Sequence, residues 1–170
     1  MAETDLSDTA LLIVDLQNDF LHADGAYARG GQTSASISAL PARVKPVADI
    51  MRERGGWVVS TQFTLVAGRG GEPFISPHLK KLRPFLGKGD FSSGQWGHQL
   101  VDELQPADFV IEKVAYSAFY QSRLEFVLKK AGVSKLVVGG IVTNGGVAST
   151  VRAAHVLDFD VTVLLSLIHI

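Results

Sequence analysis

The chain contains no cysteine among its 170 residues. That absence excludes disulfide bonds, thiolate metal sites and a thiol nucleophile. A long run of one charge is also missing, because 16 basic and 17 acidic side chains give a formal net charge of only −1. The charge balance therefore predicts neither a nucleic-acid partner nor a membrane-surface partner.

Long apolar runs are missing as well, and the first ten residues do not show the pattern of a leader peptide. The N-terminus, MAETDLSDTA, is acidic and has no basic segment followed by an apolar one. No apolar run approaches the ~18 residues that a membrane span needs. We therefore expect a cytoplasmic protein. Hydrophobic residues make up 46% of the sequence, which suffices for one substantial core, and we predict a single domain over residues 1–170.

Short apolar segments of strand type alternate with segments of helical spacing. The predicted strands are residues 10–16, 57–63, 109–113, 135–142 and 160–167. The predicted helices run from Ser34 or Ser36 to Arg54, from Ser117 to Lys130, and over residues 146–157. Residues 17–32 are predicted as a loop and residues 76–106 as a mostly irregular cover. This alternation predicts an α/β protein with a mostly parallel sheet, covered by helices on both faces and joined by right-handed crossovers.

The carboxyl ends of parallel strands line one edge of a sheet, and α/β proteins usually bind ligands there. The predicted strand ends bring Asp15, Gln62, Lys113 and the glycine-rich turn 143–146 to that edge. Each of them alone has an ordinary structural explanation, such as a solvated lysine or a tight turn. Their joint placement predicts a site in which an acid, an amide, a cation and backbone N–H groups converge.

Three segments resemble the isochorismatase-like cysteine hydrolase superfamily. They are LIVDLQNDF from Leu12 to Phe20, Lys113 followed by YSAF at 116–119, and GIVTNGGV from Gly140 followed by Arg152-Ala-Ala. The resemblance covers nearly the whole chain. It implies a three-layer Rossmann-like fold, hydrolysis of a small-molecule substrate, a homo-oligomer, and a cis peptide bond before Thr143 that helps to shape an anion hole.

The sequence departs from this family at two functional positions. Most members use an Asp, Lys and Cys triad, and Gly146 stands at the position of the cysteine. Nicotinamidases also carry an Asp-x-His metal motif after the second strand, where this chain has QFTL at residues 62–65. No metal site and no cofactor are therefore expected. The histidines lack ligand spacing; they are His22, His78, His98, His155 and His169.

One branch of the family, the isochorismatases, has glycine at the cysteine position and glutamine after the second strand, where Gln62 falls. The resemblance to this branch implies that Asp15 is a general acid that protonates an enol ether and that water adds in place of a thiol. Gln62 and Lys113 would orient the substrate, and the amides of the turn would hold a carboxylate or the water. The residues predicted to bind substrate are Gln62, Phe20, Trp96, Phe119, Thr143, Asn144 and Gly145.

The protonation state of Asp15 decides between two chemistries. Lys113 lowers the pKa of a neighbouring carboxyl group, whereas burial under aromatic side chains raises it. A protonated Asp15 suits acid-catalysed ether cleavage. An ionised Asp15 would be a base and would permit a metal-free amide hydrolysis by water.

Two further hypotheses stay open at the level of sequence. Without a nucleophile at Gly146, the chain could be a catalytically silent relative that binds a small molecule or serves as an oligomer scaffold. The ending Leu165 to Ile170 lacks the turn that usually leads relatives into a further helix and strand, so we expect a truncated, foreign or otherwise atypical C-terminus.

Overall fold

A computed structural model describes residues 4–169 and contains five strands and seven α-helices within them. The strands are β1 (Thr9–Val14), β2 (Trp57–Phe63), β3 (Phe109–Lys113), β4 (Lys135–Ile141) and β5 (Asp160–His169). The helices are α1 (Asn18–Leu21), α2 (Ala26–Arg29), α3 (Ala35–Ser38), α4 (Leu40–Glu53), α5 (Pro77–Leu82), α6 (Leu124–Lys130) and α7 (Ala148–Val156). Single 3₁₀ turns occur at Arg69–Gly71, Trp96–His98 and Asp102–Leu104, and one π-helical turn occurs at Thr143–Val147.

The five strands form one sheet in the order β3-β2-β1-β4-β5, and all neighbouring strands are parallel. β1 is the central strand. Its last residue, Val14, is level with Thr61 of β2 and with Gly140 of β4. The predicted α/β fold with a parallel sheet is confirmed, and the sheet brings the ends of β1, β2 and β4 to one edge.

Successive side chains of β1 enter two different cores, as the two-residue period of a strand requires. Leu11 and Ile13 pack with α4, whereas Leu12 and Val14 pack with α6 and α7. All four side chains are fully buried. Each contributes roughly 1.5–3 kcal/mol relative to an exposed position. Helices on both faces therefore complete the three layers and hold β1 in the centre of the domain.

The helix predicted from Ser117 is wrong in its first turns, because α6 begins only at Leu124. Gln121 adopts a φ of 49°, a left-handed conformation that interrupts a helix. The N–H of Leu124 then bonds to the hydroxyl of Ser122, which starts the helix after this break. Ser34, by contrast, caps a helix as predicted, since its hydroxyl accepts the N–H of Ile37. The single helix predicted to Arg54 is wrong, because it is divided at Ala39 into α3 and α4.

Two other predictions need correction near the sheet edge. The predicted loop 17–32 contains α1 and α2, each a single turn. The non-proline cis peptide joins Ile141 to Val142, one bond earlier than the resemblance implied.

The last strand, β5, extends to His169, and Ile170 lies outside the described residues. No helix in residues 4–169 combines the length and the hydropathy that crossing a bilayer requires.

Candidate active site

Asp15 follows β1 directly and turns its side chain into a buried position. Its φ is 57°, so the strand ends at Val14 and the chain changes direction there. Aspartate is one of the few non-glycine residues that adopts this left-handed conformation with some frequency. The N–H of Asp15 still donates to the carbonyl of Thr61 at 3.2 Å, which ties the turn to β2.

Two side chains hold the carboxyl group of Asp15. The Lys113 Nζ atom lies 2.7 Å from Oδ2, and the Thr61 hydroxyl donates to Oδ1 at 2.8 Å. Only 5% of the Asp15 side chain and 2% of the Lys113 side chain are exposed. Lys113 also donates to the carbonyl of Ala115 at 3.1 Å, and its Nζ lies 5.3 Å from the centre of the Phe63 ring. The cation is therefore fixed rather than solvated.

Burial raises the pKa of the Asp15 carboxyl group above its usual value. The Lys113 ammonium group and the Thr61 hydroxyl oppose this shift, but desolvation is the larger effect. The protonated form of Asp15 is therefore favoured more than that of an exposed aspartate, which bears on the protonation state that the sequence left open.

Gly146 faces the same carboxyl group from the π-helical turn. A Cβ atom at this position would lie 3.3 Å from Asp15 Oδ2 and 3.2 Å from the carbonyl oxygen of Ile141. An atom of a substrate or a water molecule in this space would be close to hydrogen-bond reach of the acid. Asp15, Lys113 and Gly146 therefore lie together.

A cavity of about 270 Å³ opens in front of these three residues. Its wall is mostly apolar and aromatic, and it includes Phe20, Tyr27, Phe63, Leu79, Val114, Tyr116 and Val142. Ser76 and His78 add polar groups from the region of α5. Arg83 donates to the hydroxyl of Tyr27 at 3.2 Å, so this ring is held from outside the cavity. The space admits a small molecule with an apolar body.

Several residues predicted to bind substrate lie elsewhere. Gln62 lines a different and larger cavity, because it points to the opposite side of β2 from Phe63. Trp96 borders a third cavity with Asn18 and His22. Phe119 packs against Phe159 with ring centres 5.8 Å apart, in the core on the side of α6 and α7.

The backbone amides of the turn are also less available than predicted. The N–H groups of Gly145 and Val147 both donate to the carbonyl of Val142, at 3.2 and 3.1 Å. Thr143, Asn144 and Gly145 do not line the small cavity, whereas Val142 and Gly146 do. The Thr143 hydroxyl is buried without a hydrogen-bond partner in the part of the chain that the structure describes.

Sequence reasoning missed two groups that shape the site. Thr61 was overlooked because a threonine in an apolar strand reads as an ordinary strand residue, although its register beside Val14 places it next to Asp15. Gln17 lies at the start of the predicted loop 17–32, where a side chain gives no signal of a structural role. Its side chain accepts the N–H of Phe63 at 2.7 Å and donates to the carbonyl groups of Phe63 and His98 at 3.0 Å, which fixes the end of β2.

No cluster of three potential metal ligands from His, Cys, Asp or Glu occurs in residues 4–169. Asp15 and Lys113 are buried charged groups at the edge, and they are already paired with each other. Within this range the arrangement can therefore transfer a proton beside an apolar pocket.

Comparison with known proteins places the fold and the sequence in one group. Among solved structures, an N-carbamoylsarcosine amidase from Thermoplasma acidophilum superposes with a TM-score of 0.75 at 22% identity, covering 96% of this chain and 84% of that one. A pyrazinamidase/nicotinamidase from Streptococcus mutans gives a TM-score of 0.74 at 22% identity, covering 95% of this chain and 87% of that one. At this identity the likeness concerns the fold alone.

Sequence comparison reaches further. A ureidoacrylate amidohydrolase RutB from Caulobacter vibrioides is 33% identical over 176 aligned residues, which cover 97% of this chain and 78% of that relative. The family model of the isochorismatase domain matches residues 9–166. Because this match spans nearly the whole fold and includes all the residues around Asp15, the chain belongs to the isochorismatase family of hydrolases.

Proposed function

We propose that this protein hydrolyses a small organic molecule with water as the nucleophile and Asp15 as the acid that transfers the proton. The observation that carries this proposal is the pairing of a buried Asp15–Lys113 couple with a glycine opposite to it. A thiol nucleophile is absent from the sequence, so a covalent thioester intermediate cannot form.

The surroundings of Asp15 suit both states of a general acid. Burial raises the pKa of its carboxyl group, which favours the protonated form before the reaction. Once the proton has left, the carboxylate is stabilised by Lys113 and by the Thr61 hydroxyl, both within hydrogen-bond distance. These contacts are in place beforehand, so proton transfer requires little reorganisation.

Cleavage of an enol ether is the reaction that best fits a protonated Asp15. The acid gives its proton to the enol carbon, and positive charge develops on the ether carbon and oxygen. Water adds to that carbon in the space beside Gly146 and returns a proton to the Asp15 carboxylate. The resulting hemiketal collapses to a carbonyl compound and an alcohol.

Amide hydrolysis is the second candidate, and the relatives favour it. The curated relative from Caulobacter is named an amidohydrolase. In this reaction Asp15 first acts as a base: water attacks the amide carbon and gives its proton to the carboxylate. Asp15 then protonates the departing nitrogen. Lys113 would stabilise the ionised form with which this sequence begins.

The cavity restricts the substrate in either reaction. A volume of about 270 Å³ is just below the usual range of roughly 300–1,000 Å³ for ligand pockets. The aromatic walls of Phe20, Tyr27, Phe63 and Tyr116 suit a planar or apolar body. A small molecule of this kind is therefore the expected substrate. We also predict that the protein forms a homo-oligomer.

Purified protein should be assayed on isochorismate, on ureidoacrylate and on a panel of small primary amides. Asp15→Asn should lower kcat by roughly 10²–10⁴-fold, the usual contribution of a general acid or base. Asp24→Asn is a matched control, because the side chain of Asp24 is 84% exposed. Turnover that survives Asp15→Asn would refute the role of Asp15, and silence on every substrate would favour a relative that only binds.

The pH profile separates the two candidates. If Asp15 is the acid, kcat should be highest at low pH and fall as the pH rises through the raised pKa of Asp15. If it is the base, kcat should rise over that same interval. The Asp15→Asn protein should lose this dependence in both cases.

Gly146→Cys tests whether the site has room for the missing thiol. The new Cβ must shift its neighbours by a few tenths of an ångström, since it starts 3.2 Å from the Ile141 carbonyl oxygen. We expect amidase activity to appear and enol-ether cleavage to fall, because the thiol fills the space for water. Amidase activity that stays absent in a folded Gly146→Cys protein would count against an amide-hydrolysing site.

A further inference from the structure

A larger cavity of about 1090 Å³ lies beside the same two strand ends. Successive side chains of a strand point to opposite faces. Phe63 and Lys113 therefore line the cavity of Asp15, whereas Gln62 and Glu112 line the larger one. Gln62 and Glu112 are level with each other on β2 and β3.

The carboxamide of Gln62 is the most informative group in the larger cavity. Gln62 is only 6% exposed, yet no hydrogen bond of its side chain is found within residues 4–169. Gln17, another buried glutamine, uses its side chain in three hydrogen bonds. The carboxamide has no protein partner among the described residues but faces the cavity, where solvent reaches it, so a ligand can bind to it in place of water. A ligand with one donor and one acceptor would satisfy the Gln62 carboxamide.

The charges that line this cavity balance each other. Glu112 contributes a carboxylate, which the hydroxyl of Ser93 contacts, and Arg123 contributes a guanidinium group, which donates to the carbonyl of Val110 at 3.0 Å. His98 is buried, and its Nε2 atom is paired with the Thr64 hydroxyl at 2.8 Å. A ligand with a net charge would meet no excess of the opposite charge here.

We propose that the cavity over Gln62 and Glu112 is a second binding site, and that it takes an uncharged small molecule bearing a carboxamide or ureido group. Such a group supplies an N–H and a carbonyl side by side, which is the complement of the Gln62 carboxamide. The site is separate from that of Asp15 and does not depend on the reaction proposed there.

Acetamide is a suitable probe, followed by protein NMR of the side-chain amide signals and the backbone. We expect saturable shifts of Gln62, of His98 and of the backbone at Arg123, and little change at Tyr27 and Tyr116. Acetate and methylammonium, which carry charge, should give no saturable shift. Gln62→Met, which keeps the size but lacks the amide, should abolish the response to acetamide.

Gln95→Leu is the matched control, since Gln95 is exposed and does not line this cavity. This variant should bind acetamide like the unmodified protein. Glu112→Gln leaves Arg123 as the uncompensated charge of the lining, so acetate should now bind. The proposal is overturned if acetamide gives no saturable shift, if Gln62→Met responds like the unmodified protein, or if the shifts fall on Tyr27 and Tyr116 instead.

Discussion

Removing one member of the Asp15–Lys113 pair should destabilise the protein far more than removing both. At a pH above the raised pKa of Asp15 both groups are charged, and they lie 2.7 Å apart and almost completely buried. At an effective dielectric constant of about 20, their attraction is about 6 kcal/mol, most of which offsets the cost of taking both charges out of water. Asp15→Asn keeps an acceptor for the Thr61 hydroxyl but leaves the Lys113 ammonium group without its counter-charge.

A buried charge that loses its partner typically costs about 3–5 kcal/mol. For a protein of this size, each kcal/mol lowers Tm by roughly 2–4 °C, so Asp15→Asn should lower Tm by roughly 6–20 °C. The double variant Asp15→Asn/Lys113→Met contains no buried charge at this place. It should recover most of the lost stability, because a methionine fills a similar volume without requiring a counter-ion.

Thermal unfolding followed by circular dichroism, together with urea unfolding, would measure all four proteins of this double-mutant cycle at a pH above the raised pKa of Asp15. Asp49→Asn is the matched control, because it breaks only the surface pairs of Asp49 with Lys45 and Arg52 and should leave Tm nearly unchanged. If the effects of the two single substitutions simply add in the double variant, the two residues are not energetically coupled, and the account of the site given above is refuted.

Three further predictions concern the frame of the site. Gly140→Ala should lower the free energy of unfolding, measured by calorimetry, by roughly 3 kcal/mol or more, because Gly140 has a φ of 131° and a Cβ atom would lie 2.1 Å from the Val14 carbonyl oxygen. The control Gly87→Ala should be nearly neutral, since no atom lies near the Cβ position there. Burial lowers the pKa of His98, so the unfolded chain takes up a proton near pH 6.5 before the folded one does. Stability in urea should therefore fall as the pH drops below 6.5, and His98→Asn should flatten this slope; an unchanged slope would contradict the assignment. Asp19→Asn should cost about 1–3 kcal/mol and raise KM more than it lowers kcat, because the Asp19 carboxylate accepts the backbone N–H groups of Ala26 and Phe91 and so anchors helix α1, which carries Phe20. A wild-type KM would argue against this positioning role.

The sequence predicted the sheet well because its strands are short apolar segments with clear limits. β2 and β3 have the predicted boundaries, and the parallel arrangement follows from the alternation with helices. The end of β1 was less predictable, because the left-handed conformation of Asp15 arises from its tertiary contacts rather than from local propensity. The same applies to Gln121, which shortened the helix predicted from Ser117.

The candidate site was predictable only in part. Asp15, Lys113 and Gly146 could be brought together because each follows a strand of known direction. Gln62 was expected beside them, but the face to which a strand residue points reverses with each position. Its neighbour Phe63 therefore enters the cavity of Asp15, and Gln62 enters the other. The protonation of Asp15 depends on its burial, which the sequence does not give.

The central position of β1 has a consequence for the order in which the molecule opens. Amide protons in the middle of a sheet exchange with solvent only when the whole domain unfolds, whereas short peripheral helices exchange by local opening. The N–H of Asp15 bonds to Thr61 between two paired strands, but Leu79 reaches the cavity from the six-residue helix α5. We expect slow hydrogen exchange at Asp15 and fast exchange in α5, so that substrate can enter while the acid and its lysine keep their geometry.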